Sequence, residues 1–144
     1  MSLADLEQFD QDLRQAWQDW LSRFGFQAFY TQTFSEPVTH ARLAMKRSWS
    51  VLRTLAVRYG VGVRAFIVAE QHLLGTYHAH ALVLTFPTPV LRLRDSLRWI
   101  WLVGSELGMC RFESIDSIGG VSGYVSRYLT NRMCDYDFYS IDPI

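Results

Sequence analysis

Residues 64–71 and 77–86 read RAFIVAEQ and YHAHALVLTF, two apolar runs of strand length separated by His72-Leu73-Leu74-Gly75-Thr76. A five-residue link carrying a turn glycine folds two such runs into a β-hairpin, and the rest of the chain has to be arranged around it. Side chains alternate across a strand, so His78 and His80, one alanine apart, point to the same face and can hold one ion between them. Glu70 has the same parity. Any in-register antiparallel pairing that sets it opposite either histidine puts its carboxylate on their face. Two imidazoles and a carboxylate leave coordination positions open; the set suits Mn²⁺ or Mg²⁺ acting on a phosphate, and also Zn²⁺. His72 shares the parity but belongs to the turn and reads as a surface histidine.

The flanking segments supply alternating helices and strands. Ser2 followed by Asp5 resembles a capping box, and Leu6, Phe9, Leu13, Trp17, Trp20, Leu21 and Phe24 keep helical spacing until Gly25. Phe26–Phe34 reads as a strand and Val38–Tyr59 as one long helix stopped by Gly60. After the hairpin, Pro87 and Pro89 end the strand, Leu91–Val103 reads as a helix, Met109–Ile115 as a strand and Gly119–Met133 as a last helix. The acidic stretch beyond Met133 carries no element in this reading. Long helices beside a central hairpin predict an α+β fold: one antiparallel sheet of about four to five strands with helices mainly on one face. The other sheet face is then left for the histidines and for the last helix.

That helix reads GGVSGYVSRYLTN over 119–131. At helical spacing Val121, Val125 and Leu129 form one stripe, and Tyr124, Arg127, Tyr128 and Asn131 gather on the neighbouring one. Tyrosines four apart on such a helix usually serve packing. Here their polar companions, Arg127 and Asn131, suit a phosphodiester better than a core.

Taken together, Thr31-Gln32-Thr33-Phe34 in an early strand, a carboxylate and His-Ala-His in a hairpin, and Tyr-x-x-Arg-Tyr on a late helix resemble the HUH endonucleases. The likeness is greatest to the rolling-circle replication initiators of small phages and plasmids, and covers roughly Phe29 to Asn131. The resemblance implies a ferredoxin- or RRM-like sheet, a divalent cation (Mn²⁺ or Mg²⁺) on His78 and His80 with Glu70 as third ligand, and Tyr124 as first nucleophile. Tyr128 would be a second nucleophile or a helper. It also implies transfer of single-stranded DNA, from an origin or hairpin, to tyrosine as a 5′-phosphotyrosine with release of a 3′-hydroxyl. The family usually has lysine where Arg127 and Asn131 stand. Arginine keeps the charge but cannot give up its proton, so a phosphate clamp survives the change and a lysine proton shuttle does not.

Composition bears on this through charge. With 14 basic and 14 acidic residues the formal net charge is zero, which argues against nucleic acid until its distribution is considered. Residues 1–36 hold Arg14 and Arg23 against Asp5, Glu7, Asp10, Asp12, Asp19 and Glu36, whereas between Pro37 and Ala69 six cations occur without an acid. Of these, Arg42, Lys46, Arg47 and Arg53 flank the apolar face of the long predicted helix; they are either solvated flanks or a DNA-tracking surface. Most of the abundant aromatics read as core, with base stacking the alternative.

The whole of 1–144 reads as a single nicking and joining domain, without a helicase, so either a host helicase is an expected partner or the chain is an excised catalytic domain. No 18-residue apolar span and no signal peptide occur, and Cys110 and Cys134 lack metal spacing, which together place the chain in a cytoplasm, bacterial or that of a phage-infected host. Three alternatives stand beside the initiator reading. A single-tyrosine insertion-sequence transposase would need only one of the tyrosines. An RRM-like binding domain would have structural histidines and no chemistry. A metal-dependent hydrolase would use water and survive loss of both tyrosines.

Overall fold

The computed structural model describes residues 2–72, 74–115, Tyr124 and 133–143. The hairpin forms as β2 (Gly62–Gln71) and β3 (Tyr77–Phe86), in a register that sets Glu70 opposite His78 and Val68 opposite His80. Strand β1 (Ala28–Gln32) pairs with the other edge of β3, and β4 (Cys110–Ser114) with β1. A fifth strand, β5 (Met133–Ile141), pairs with β2, giving an antiparallel sheet of order β4-β1-β3-β2-β5. The α+β expectation holds.

One sheet face is lined by small side chains. Ala65, Ile67 and Ala69 of β2 and Ala79, Ala81 and Val83 of β3 are fully buried there. They let helices approach closely, and α2 (Ala41–Leu52), α3 (Thr54–Tyr59) and α4 (Arg94–Gly104) lie on this side, burying Met45, Leu52, Leu55 and Ile100 in the same core. The opposite face carries large ones: Phe66, Val68, Leu82 and Leu84, packed by α1 (Leu3–Ser22) through Trp17 and Leu21. The Trp17 ring centroid stands 5.7 Å from that of Phe66 and 5.2 Å from that of Tyr136 on β5. Helices therefore sit mainly, but not wholly, on one side.

Several element ends follow their local signals. The Ser2 hydroxyl accepts from the Asp5 amide, and the Asp5 carboxylate accepts from the Ser2 amide at 3.0 Å, a complete capping box. Gly60 closes α3 at φ 67°, the left-handed conformation that glycine adopts without a Cβ penalty. The long helix expected over 38–59 is broken at Arg53. The Thr54 hydroxyl donates to the Val51 carbonyl at 2.6 Å and accepts from the Trp99 indole at 2.9 Å, so a side chain takes a carbonyl that a continuous helix would have used. The expected helix over 91–103 begins as a 3₁₀ turn, Val90–Arg92, and becomes α-helical only from Arg94. Met133, expected to end the last helix, instead begins β5.

Candidate metal and nucleic-acid site

The register of β2 and β3 gathers a cluster on the large-side-chain face at the turn end of the hairpin. His80 is 6% exposed, and its imidazole is held from both sides: Nδ1 lies 3.2 Å from the Thr31 hydroxyl and Nε2 lies 3.3 Å from Glu70 Oε1. Thr31 is directly opposite His80 on β1, so the bond follows from strand pairing. Such a chain fixes ring orientation and selects which nitrogen presents its lone pair. Burial pushes His80 down to about 4, against the pull of Glu70 beside it, so the ring is neutral at physiological pH. His78 is also lowered, by burial first and by neighbouring His72 second.

The His72 side chain is 38% exposed and still joins the cluster. Its amide donates to the Thr76 carbonyl at 2.8 Å, carrying the hairpin ladder one step past Gln71 and Tyr77 and keeping strand parity. The His72 ring consequently lies on the His78 ring, centroids 3.7 Å apart, with Nε2 3.4 Å from Glu70 Oε1. Glu70 Oε1 thus stands between the Nε2 atoms of His72 and His80. Among the described residues no group of three or more His, Cys, Asp or Glu is arranged to hold a metal ion as it stands; the rings pack against one another, and His80 pairs with Glu70. Their chemistry nevertheless fits a divalent cation. The set combines neutral imidazole, carboxylate and a buried His72 Nε2 that has no hydrogen bond among the described residues.

Tyr124 is helical and 2% exposed, on the same face. Its ring is stacked near Phe29, 6.0 Å between centroids, and its hydroxyl donates to the His80 carbonyl at 2.8 Å. The phenol is therefore berthed beside the histidine strand and shielded from solvent. Arg127, Tyr128 and Asn131 lie outside the described residues.

The early-strand motif divides its duties between the two faces. Thr31 supports His80, whereas Gln32 points into the helix-side core and donates to the Gly104 carbonyl at 3.0 Å. The Thr33 hydroxyl donates to the Met109 carbonyl at 3.1 Å and accepts the Met109 amide, clamping β1 to the approach of β4.

A model of the replication-associated protein ORF2 family matches residues 27–133, well over half of the chain. The chain belongs to this family. The matched span contains β1 to β4, the histidine cluster and the tyrosine motif. No curated protein and no solved structure matches the chain. Membership of the replication-associated family ties the protein to replication.

The four cations expected to meet DNA are not beside the histidine cluster. Arg42, Lys46 and Arg47 lie on α2 and Arg53 at its end, on the opposite face of the sheet. Arg42 also meets Asp135 and Asp137 of β5 at 3.7 and 3.9 Å. The cation that does share the cluster's row is Arg111, opposite Thr31 on β4. Its side chain is largely exposed and reaches Glu113 at 2.6 Å. Arg111 does not stand out in the sequence, because its place depends on its pairing partner on β1 rather than on a local pattern. Among the described residues no helix is long and apolar enough to cross a membrane.

Proposed function

We propose that the protein nicks single-stranded DNA and joins the cut strand to a tyrosine, as an HUH-type initiator of rolling-circle replication. The single observation that carries this reading is the hydrogen-bonded chain Thr31–His80–Glu70 on a sheet face shared with Tyr124, inside the span matched by a replication-associated family. Glu70, His78 and His80 would hold a divalent cation, Mn²⁺ or Mg²⁺. Held there, such an ion would supply Lewis-acid stabilisation of the charge that develops at a scissile phosphate.

The residues around it do the rest. Thr31 holds the His80 ring so that Nε2 faces Glu70, and burial keeps that ring neutral and ready to ligate. A tyrosine oxygen attacks phosphorus and gives up its proton to solvent, the bond to the 3′ oxygen breaks, that oxygen takes a proton from solvent to leave as a 3′-hydroxyl, and a 5′-phosphotyrosine forms. Tyr124 is shielded and its hydroxyl is engaged with a backbone carbonyl, which favours Tyr128 as the attacking residue and Tyr124 as the anchor of the tyrosine segment on the sheet. Arg127, three residues from Tyr124 and next to Tyr128, supplies fixed positive charge for the phosphate. Arg111 is aligned with the same row. The DNA partner is a single-stranded origin or hairpin, with a host helicase to open the duplex. Flanking phosphates fall to Arg42, Lys46, Arg47, Arg53 and Asn131.

A single-tyrosine transposase is the second reading, and the burial of Tyr124 favours it, since a second tyrosine suffices there by itself. The two readings share one test. Incubation with randomised single-stranded oligonucleotides and Mn²⁺ should give a denaturant-stable mass increase that chelator abolishes and that maps to Tyr128. Tyr128→Phe should lose the adduct, and Tyr124→Phe should keep it with a stability loss of roughly 1 kcal/mol for the buried hydroxyl. An adduct lost in folded Tyr124→Phe alone would exchange the two roles. Nicking by the double variant would replace strand transfer with hydrolysis by water.

A further inference from the structure

We infer that His72 is a fourth donor of the cation site, so that the ion is held by three imidazoles and one carboxylate rather than by two imidazoles and one. This rests on the cation site proposed above and extends it. Three observations carry it. The His72 side chain is 38% exposed, yet its Nε2 is buried and has no hydrogen bond among the described residues. It lies 3.4 Å from Glu70 Oε1, and His80 Nε2 lies 3.3 Å from the same oxygen. Ligands at about 2.1 Å from one ion stand roughly 3.0 to 3.4 Å from each other, so these contacts, ion pairs as they stand, also match the spacing of neighbours on a shared ion. Finally, the backbone fixes the place of His72. The His72–Thr76 ladder bond and the Gly75 amide to the His72 carbonyl, at 2.9 Å, hold the ring in strand parity on top of His78.

The consequence is a change in metal preference. Imidazole suits Mn²⁺, Co²⁺ and Zn²⁺, whereas Mg²⁺ keeps oxygen and water ligands and gains little from a third ring. The site selects transition ions over Mg²⁺, and the selection depends on His72.

The test is metal binding by the full chain without DNA, read by calorimetry with Mn²⁺, Zn²⁺ and Mg²⁺, and by pulsed EPR of bound Mn²⁺, which counts coordinated imidazoles. His72→Ala and His72→Gln are compared with His80→Ala, each checked for an unchanged melting temperature in chelator; the glutamine variant keeps the packing on His78. Expected are Mn²⁺ and Zn²⁺ affinities weakened by about tenfold or more in both His72 variants, the loss of one counted imidazole, and Mg²⁺ affinity nearly unchanged. Wild-type affinity and an unchanged imidazole count in folded His72 variants, with binding lost in His80→Ala, overturn the role of His72 and leave the cation site standing. No binding of Mn²⁺, Zn²⁺ or Mg²⁺ by the wild-type chain overturns both.

Discussion

His80 shows how one residue couples fold and chemistry. Its ring is a member of the sheet face, and its burial costs the charged form far more than Glu70 returns, so the folded chain binds its proton only near pH 4 while the unfolded chain binds it near the ordinary value of 6.5. Between those values the unfolded state carries more protons, and stability must rise with pH. The contribution is complete above about pH 6.5 and is lost as pH falls toward 4, at most roughly 3 kcal/mol. His78, lowered in the same direction, adds to the slope. Urea midpoints measured in chelator from about pH 7.5 to 4.5 should therefore fall, and His80→Gln should flatten the lower part of that curve. A wild-type midpoint independent of pH in that window would contradict the buried neutral ring.

At the scale of elements, the two faces of the sheet solve different packing problems. Alanines on β2 and β3 let α2 and α4 lie close, whereas on the other side a few aromatic rings fill the space beneath α1. Trp17 touches both Phe66 at the centre of the sheet and Tyr136 on the edge strand, and Trp20 meets Phe66 and Phe138 beside it. Trp17→Ala should cost about 3 kcal/mol, the cost of an aromatic truncation in a packed cluster, and should quench the contribution of the β5 aromatics to near-ultraviolet circular dichroism. The edge strand itself carries a period-two signal in Asp135-Tyr136-Asp137-Phe138, with rings to one face and carboxylates to the other. Its acidic composition obscures that signal, and the helical pattern before it runs on to Met133. Strand β5 exists because β2 offers an open edge, which its own residues do not reveal.

For the molecule as a whole, charge is sorted by face. The helix α1, acidic along its length, lies on the side of the histidines, and the basic flank of α2 lies on the far side. On the proposed reading, a strand bound at the cluster would have to leave that face to meet Lys46 and Arg53, so these cations would serve distant phosphates. Changing both to alanine should make the salt dependence of single-strand binding shallower by about 1.4 in log–log slope, at ~0.7 per phosphate contact, and should leave Mn²⁺ affinity unaltered. A fall in Mn²⁺ affinity would mean that the two faces are coupled through the sheet.

Short-range patterns suffice for the hairpin, its parity, the placement of Glu70 with His78 and His80, the capped start of α1 and the stop at Gly60. Alternation, a cap and a positive-φ glycine all act within a few residues, so the amino-acid order expresses them directly. Folding in three dimensions was needed to bring His72 into the cluster, to brace His80 with Thr31 and to berth Tyr124 against a backbone carbonyl. It also turned the cations of α2 to the other face and completed the sheet with β5. These depend on register across strands and on which side of the sheet a helix packs, contacts between residues far apart in the chain that no local pattern encodes.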